Sequence, residues 1–273
     1  MTGMFVTDDQ SRMSWFQPGS YEPLYKFNLL GLLTSLAVYN GLTLPFTFPL
    51  ALYRKLLGLH NTMDDIFDGW PALAKGLEDL LSWKGEDVED VFVRYFEFSV
   101  DIPGARWSVP LDPKGSPYPL DLKKESRTEP YMVTNENRRS YVRDYIWWLT
   151  HRSILPQYEA FEHGFYCCLD RKATSMFTPD LLKLLVEGTS EINVDGLQKA
   201  TSYDGYTAND QTIKDFWHVV RSFSPEQLRK LLEFVTASDR VPFGGIETIE
   251  FMIQQNGPGD DGVSVVDIYQ VLS

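Results

Sequence analysis

The chain has 273 residues, a formal net charge of -13 and a composition that is 43% apolar and 14% aromatic. That content of core-forming residues excludes a disordered chain as the main state. The 38 acidic residues outnumber the 25 basic ones, so we expect neither nucleic acid nor an anionic membrane surface as a partner.

The first part of the chain predicts three helices. Residues 23–39 are apolar on nearly every side, which is typical of a helix inside a core. Residues 49–58 begin with proline and end with glycine, the asymmetry expected of helix ends. Residues 71–85 place four leucines on one helical face and also run from proline to glycine. We therefore expect two packed helices followed by a third with one apolar face.

A small β-hairpin subdomain is predicted next. The apolar pattern changes to a period of two over residues 88–100, with apolar side chains on both faces. We expect this strand to pair with residues 130–133. Residues 101–129, between them, contain five prolines and mixed charges, which favours an exposed loop.

Helices return after the hairpin. Thr134 is a suitable cap for a long helix that starts at Asn135, and helical spacing continues to about residue 168. A Thr-Pro pair at 178–179 predicts another helix, which ends at a short stretch able to act as a hinge. The hinge residues are Gly188, Thr189 and Ser190.

A second unit follows the hinge. The sequence predicts a turn over 203–206, helices over 209–221 and 224–235, a glycine turn at 244–245 and a short strand over 249–253. Helices and short strands alternate irregularly, which favours an α+β fold over a wound parallel sheet.

The N-terminus and the cysteines predict a reducing compartment. The start of the chain lacks the basic residues and apolar centre of a secretory signal, and residues 27–39 are shorter than the ~20 residues that a membrane span needs. Cys167 and Cys168 are adjacent, and neighbouring cysteines rarely meet disulfide geometry, so we expect no disulfide framework. We expect a cytoplasmic or nuclear protein.

Generic catalytic motifs are absent from the sequence. It has no dinucleotide-binding glycine loop, Walker loop, zinc-protease motif or paired C-x-x-C, so we expect no cofactor and no metal. His163 and Cys167 are four residues apart and could form the nucleophile pair of a hydrolase. The alternative, which we favour, is that both cysteines are buried, because free cysteine is among the most buried residue types.

A series of segments along the chain carries more information than any single motif. The segments include 14–18 (Ser-Trp-Phe-Gln-Pro), 30–41, 48–58, 133–138 (Val-Thr-Asn-Glu-Asn-Arg), 203–206 (Tyr-Asp-Gly-Tyr), 216–217 and 232–245. In this order they resemble the HECT-type ubiquitin-protein ligases, and the resemblance spans residues 4 to 258.

The resemblance implies a two-lobed architecture. A mainly helical N-lobe binds a charged ubiquitin-conjugating enzyme, and a hinge joins it to a smaller C-lobe whose cysteine accepts ubiquitin. Here we expect an N-lobe over 1–188 without its usual start, with the enzyme-binding subdomain at about 60–133. A hinge at 189–193 and an incomplete α/β C-lobe over 194–273 follow.

The resemblance also implies a docking surface for the conjugating enzyme. Its positions correspond to Leu73, Leu77, Trp83, Phe92 and Tyr141. A leucine at helical spacing more often belongs to a core, so a buried position is the alternative for Leu77. Trp83 stands at a predicted helix end, where an aromatic side chain can remain exposed and anchor a partner.

The family's nucleophile is missing from its expected place. It lies in a Thr-Cys-Phe segment shortly after an Asn-Gly-Pro motif, and residues 256–258 carry that motif without a later cysteine. Cys167 and Cys168 match N-lobe positions and do not inherit the role. Transfer of ubiquitin between thiols needs a thiolate, so we expect docking without catalysis. A non-catalytic module that sequesters the conjugating enzyme is the alternative, and the protein substrate stays unknown.

Overall fold

The computed structural model describes most of the chain. The described residues are 3–102, 104–236, 238–255 and 266–269. They form an α+β fold of helices and small sheets, as the sequence predicts. None of the helices in these ranges is both long and apolar enough to cross a membrane.

The chain divides into two compact units. The first consists of Met1–Ser35 and Thr47–Asp180, and the second of Leu36–Phe46 and Leu181–Ser273. The helices, in chain order, are α1 (Leu24–Tyr39), α2 (Leu50–Leu56), α3 (Pro71–Ser82), α4 (Val88–Phe92), α5 (Arg138–Thr150), α6 (Leu155–Phe165), α7 (Arg171–Thr174), α8 (Pro179–Glu187), α9 (Val194–Ala200), α10 (Gln211–Arg221) and α11 (Pro225–Thr236). The three helices predicted before residue 86 are thus confirmed.

Two antiparallel hairpins belong to the first unit. β1 (Phe5–Thr7) pairs with β2 (Ser14–Phe16), and β3 (Glu97–Ile102) pairs with β4 (Ala105–Pro110). One core of this unit is a cluster of aromatic rings around Phe16. A second core lies beneath α3, α5 and the β3–β4 hairpin, and its fully buried members include Leu77, Leu80, Phe96 and Phe98.

Helices α1 and α6 cross with their backbones in contact. A Cβ atom on Gly31 would lie 2.0 Å from the carbonyl oxygen of Phe161, and one on Gly164 would lie 2.0 Å from the carbonyl oxygen of Asn28. Since no Cβ atom fits at that distance, each helix presents a glycine to the other's backbone. The crossing therefore fixes the distance between α1 and α6.

The second unit contains a three-stranded sheet. β5 (Thr201–Asp204) runs parallel to β6 (Phe251–Gln255), which is antiparallel to β7 (Val266–Tyr269). Trp217 of α10 is fully buried, and its indole Nε1 donates a hydrogen bond to the Tyr203 hydroxyl at 3.0 Å. The turn predicted at 203–206 is wrong at Tyr203 and Asp204, which belong to β5.

Residues 88–92 form the helix α4, so the strand predicted over residues 88–100 is wrong in its first half. Glu89 and Asp90 lie in the first turn of α4, where carboxylates interact favourably with the helix dipole. The helix ends at Phe92, and the next residue, Val93, has a left-handed φ of 46°. A short apolar run cannot distinguish helix from strand by its periodicity alone.

The hairpin partner is also different from the prediction. β3 pairs with β4 through a tight turn at Gly104, whose φ is 83°, so the loop predicted over 101–129 contains a strand. The expected pairing with residues 130–133 is reduced to an isolated antiparallel bridge between Tyr95 and Met132. Pairing with β4 is favoured over pairing with residues 130–133, because a short connection between strands costs less chain entropy than a long one.

Helix α5 begins at Arg138, three residues after the predicted start at Asn135. The Thr134 hydroxyl oxygen accepts hydrogen bonds from the backbone N–H groups of Glu136 and Asn137. It therefore closes a turn before the helix instead of capping the helix itself.

The predicted hinge residues lie between α8 and α9. Thr189 and Val241 exchange two backbone hydrogen bonds of 2.9 and 2.8 Å, and Val186 accepts one from Leu44. These bonds place α8 largely in the second unit, so the compact units divide at residues 180–181 rather than at 188. The hinge function of Gly188, Thr189 and Ser190 stays a prediction.

Lys55 of α2 is a partly buried cation in the first unit. Its Nζ atom donates to Nδ1 of His151 and lies 4.1 Å from the centroid of the Tyr158 ring. Burial lowers the pKa of Lys55 to about 8, although the charges of Glu162 and Glu159 act in the opposite direction. Burial, followed by the charge of Lys55, also lowers the pKa of His151, which keeps its ring neutral and able to accept.

We predict that Gly31→Ala lowers the free energy of unfolding by about 3 kcal/mol, because the added methyl group collides with backbone rather than with a movable side chain. Chemical denaturation measures the change. Gly76→Ala in α3 is the control, since its Cβ would meet only Arg94 at 3.6 Å; it should leave stability unchanged or raise it by about 1 kcal/mol. Equal losses in both variants would contradict the close crossing.

We predict that Lys55→Met stabilises the protein at pH 7 by roughly 1–2 kcal/mol, reduced by solvent from the full value of the pKa shift. The unfolded chain binds more protons than the folded one between pH 8 and 10.5, so Lys55 makes stability rise with pH in that window. Denaturation curves should lose that contribution in Lys55→Met. A variant with the wild-type pH profile would contradict the assigned burial.

Candidate functional site

An open groove lies at the C-terminal end of α3. Its volume is about 570 Å³. The lining residues come from the last turns of α3, from the turn that follows and from the end of α4; they are Asp79, Ser82, Trp83, Lys84, Gly85 and Phe92.

Two aromatic rings form the apolar surface of the groove. The rings of Trp83 and Phe92 meet edge to face, with centroids 5.8 Å apart. Trp83 is 37% exposed, and its indole Nε1 donates a hydrogen bond to Oδ1 of Asp87 at 3.0 Å. The polar edge of the indole is therefore satisfied, while part of its apolar face remains available to a partner.

Local sequence places both rings. α3 ends at Ser82, and Trp83 has extended backbone angles of -59° and 128° that turn the chain away from the helix axis. Phe92 is the last residue of α4, because Val93 reverses the chain in a left-handed conformation. A β-branched residue rarely adopts that conformation, so the surrounding structure must hold this turn in place.

Side chains from the start of α5 and from the segment before it secure the end of α3 and the turn that follows. Nη1 of Arg138 donates to the carbonyl oxygens of Leu80 at 3.1 Å and Trp83 at 2.8 Å. Nδ2 of Asn135 donates to the carbonyl oxygen of Gly85 at 3.2 Å. The two bonds from Arg138 satisfy carbonyls that the end of a helix leaves without intrahelical partners, and the bond from Asn135 holds the turn that follows.

Sequence reasoning missed the supporting roles of Gly85, Asp87, Asn135 and Arg138. Asn135 and Arg138 belong to the Val-Thr-Asn-Glu-Asn-Arg segment at 133–138, which contributed to the family resemblance without a role for its side chains. A polar cluster just before a predicted helix was the available signal.

The structure separates the five docking residues predicted from sequence. Trp83 and Phe92 line the groove, and Leu73 is half-buried against the core. Leu77 and Tyr141 are 0% and 3% exposed. Leu77 therefore follows its core alternative, and the expected place of Tyr141 on a contact surface is corrected to one in the core. Burial raises the pKa of the Tyr141 hydroxyl.

The sequence segment that carries most of the groove, residues 75–90, is acidic. Its two basic residues, Lys75 and Lys84, accompany a larger set of exposed carboxylates. The carboxylates are those of Glu78, Asp79, Glu86, Asp87, Glu89 and Asp90. An aromatic pair next to an acidic segment favours a partner that combines apolar and basic side chains.

The histidine and cysteine pair does not form a nucleophilic site. Nδ1 of His163 accepts a hydrogen bond from Nδ2 of Asn28 at 2.8 Å, and the same amide nitrogen donates to the carbonyl of Ala160. α6 ends at Phe165, before both cysteines. In the part of the chain that the structure describes, Sγ of Cys167 donates a hydrogen bond to the backbone oxygen of His163 at 3.4 Å and none to the imidazole ring. The hydrolase hypothesis therefore lacks its thiol–imidazole contact.

Both cysteines are exposed, so their predicted burial is wrong. The chain leaves α6 at Phe165, and the ring of that residue fills the core in their place. Within the described ranges, no group of three or more histidine, cysteine or carboxylate side chains is arranged to hold a metal ion.

Comparison with known proteins matches the chain to one family and to several of its members. The HECT-domain (ubiquitin-transferase) family model matches residues 1–263. The probable E3 ubiquitin-protein ligase HECTD2 of Mus musculus is 37% identical over 268 residues, which cover 93% of this chain and 33% of that protein. The probable ligase HERC4 of Mus musculus is 31% identical over 264 residues, 96% of this chain and 24% of that protein.

A fungal relative is similar to the same extent. The probable E3 ubiquitin-protein ligase HUL4 of Eremothecium gossypii is 32% identical over 274 residues, covering 95% of this chain and 31% of its own length. The chain thus spans a third or less of the curated relatives that it matches.

Proposed function

The chain belongs to the HECT-domain family of ubiquitin transferases, and on that premise we propose that the groove at Trp83 and Phe92 docks a ubiquitin-conjugating enzyme. The observation that carries this proposal is the part-exposed indole of Trp83, held edge to face against Phe92 at the end of α3. Tryptophan is enriched among the residues that dominate binding energy at protein interfaces.

The core beneath the groove supports the same proposal. Leu77 and Tyr141 pack in the buried cluster under α3 and α5, so the groove rests on a rigid base. A surface that is ordered before binding loses less conformational entropy when a partner docks. We therefore assign Leu77 and Tyr141 a supporting role below the contact surface.

Charge supports a partner with a basic docking face. The exposed carboxylates of residues 78–90 and the net charge of -13 both favour encounter with positively charged side chains. These charges act mainly on the association rate, which makes binding sensitive to salt. The proposed partner therefore presents an apolar side chain between basic residues.

The wider activity proposed for the protein is transfer of ubiquitin to a protein substrate in the cytoplasm or nucleus. In this chemistry a cysteine thiolate attacks the thioester of the charged conjugating enzyme; a new thioester forms and the conjugating enzyme leaves as a thiol. The sequence contains only Cys167 and Cys168, both in the first unit. We propose that this polypeptide docks its partner without accepting ubiquitin.

A second candidate function is sequestration of the conjugating enzyme by a non-catalytic module. It needs only the groove at Trp83 and Phe92 and no acceptor for ubiquitin; residues 256–258 lie outside the described ranges. The two functions share the docking groove and differ in ubiquitin transfer.

We predict that Trp83→Ala weakens binding to a conjugating enzyme by at least about 1–2 kcal/mol, because it removes the exposed ring from the groove. A panel of purified conjugating enzymes is screened, and the tightest binder is studied by calorimetry. Tyr118→Ala is the matched control, since Tyr118 is 68% exposed and does not line the groove. Unchanged affinity in a folded Trp83→Ala variant would reject the docking site.

We also predict that the polypeptide forms no ubiquitin thioester. It is incubated with activating enzyme, conjugating enzyme, ATP and ubiquitin, and the products are separated on non-reducing gels. The control is the Cys167→Ser/Cys168→Ser double variant. A thiol-sensitive adduct on the wild-type chain that disappears in the variant would identify an exposed cysteine as the acceptor and contradict the prediction.

A further inference from the structure

The turn that carries Trp83 is held by groups with no assigned role, and we propose that Gly85, Asp87 and Arg138 are positioning residues that fix the Trp83 indole for docking. This inference rests on the proposed function, because it explains how the docking surface is kept in a binding-ready geometry. Each residue acts on a different part of Trp83.

Arg138 holds the backbone of Trp83. Its Nη1 atom donates to the Trp83 carbonyl at 2.8 Å and to the Leu80 carbonyl, one turn earlier, at 3.1 Å. A cation at a helix C-terminus interacts favourably with both the free carbonyls and the helix dipole. Since Arg138 is also the first residue of α5, the end of α3 is joined to the start of a core helix.

Asp87 holds the side chain of Trp83. Its Oδ1 atom accepts the indole N–H at 3.0 Å. Asp87 occupies the N-cap position of α4, yet its carboxylate makes no capping hydrogen bond. An aspartate cap stabilises a helix by about 1 kcal/mol. α4 lacks this stabilisation, because the Asp87 carboxylate is bonded to the Trp83 indole.

Gly85 leaves the space in which this bond forms. A Cβ atom at residue 85 would lie 2.2 Å from Oδ1 of Asp87 and 2.6 Å from Nε1 of Trp83. Gly85 is not among the glycines with positive φ, so alanine fits the backbone there. The collision involves two side-chain ends, and an added methyl group would therefore separate them without unfolding the turn.

The test measures indole position and affinity in the same variants. The whole chain is labelled with 5-fluorotryptophan, and the resonance of Trp83 is assigned by its loss in Trp83→Phe. Binding is measured by calorimetry against the conjugating enzyme selected from the panel. The variants are Gly85→Ala, Asp87→Ala, Asp87→Asn, Arg138→Ala and Arg138→Lys.

Gly85→Ala is expected to shift the Trp83 resonance, leave the other tryptophan resonances in place and weaken binding about tenfold. Asp87→Ala should act in the same direction, while Asp87→Asn retains an acceptor oxygen and most of the affinity. Arg138→Lys should restore part of what Arg138→Ala loses. The controls, Arg139→Ala and Gly76→Ala, remove a neighbouring exposed arginine or fill an open site on α3 and should change neither readout.

A double variant separates positioning from direct contact. If Gly85 acts through Trp83, Gly85→Ala should cause no further loss of affinity once Trp83→Ala is present. Additive losses in that double variant would overturn the inference. So would an unshifted Trp83 resonance in both Gly85→Ala and Asp87→Ala, or a shifted resonance with unchanged affinity.

The failure of the inference is distinguishable from failure of the proposed function. If Trp83→Ala weakens binding and the Gly85, Asp87 and Arg138 variants do not, docking stands and the positioning roles are wrong. If Trp83→Ala leaves affinity unchanged, the docking site itself is wrong. Should Arg138→Ala unfold the chain, the exposed Asp87 still decides the question, because its side chain lies outside the core.

Discussion

The hydrogen bonds from Arg138 to the carbonyl oxygens of Leu80 and Trp83 connect the buried and exposed parts of the candidate site. They tie the end of α3 to the start of α5, the two helices that also cover the core containing Leu77 and Tyr141. A charged donor that satisfies two helix-end carbonyls contributes more than a neutral hydrogen bond. The surface position of Trp83 is therefore determined by the core.

Close packing imposes a similar constraint elsewhere in the first unit. The crossing of α1 and α6 at Gly31 and Gly164 leaves no room for side chains between the two backbones. Rigid elements of this kind present surface residues more accurately than loops do. A groove on such a unit is formed before any partner binds, which favours a small entropic cost of the proposed association.

Sequence reasoning predicted those elements whose ends carry strong local signals. Proline at a first turn and glycine after an end located α2 and α3, whereas the short apolar run over 88–100 was misassigned because α4 is stabilised by acidic residues in its first turn and ended by Val93. The exposure of Cys167 and Cys168 was also misjudged, since it depends on where α6 ends. The resemblance pointed to Trp83 and Phe92, which line the groove and whose docking role stays a prediction, whereas the burial of Leu77 and Tyr141 follows from tertiary packing.

The central claim is that the turn between α3 and α4 is the surface that a conjugating enzyme covers. Hydrogen–deuterium exchange of the whole chain, alone and with a saturating conjugating enzyme, tests this claim directly. The account predicts slower exchange over about residues 80–95 in the complex, because docking on Trp83 and Phe92 would exclude water from that backbone. Slower exchange confined to other segments, with residues 80–95 unchanged, would contradict it.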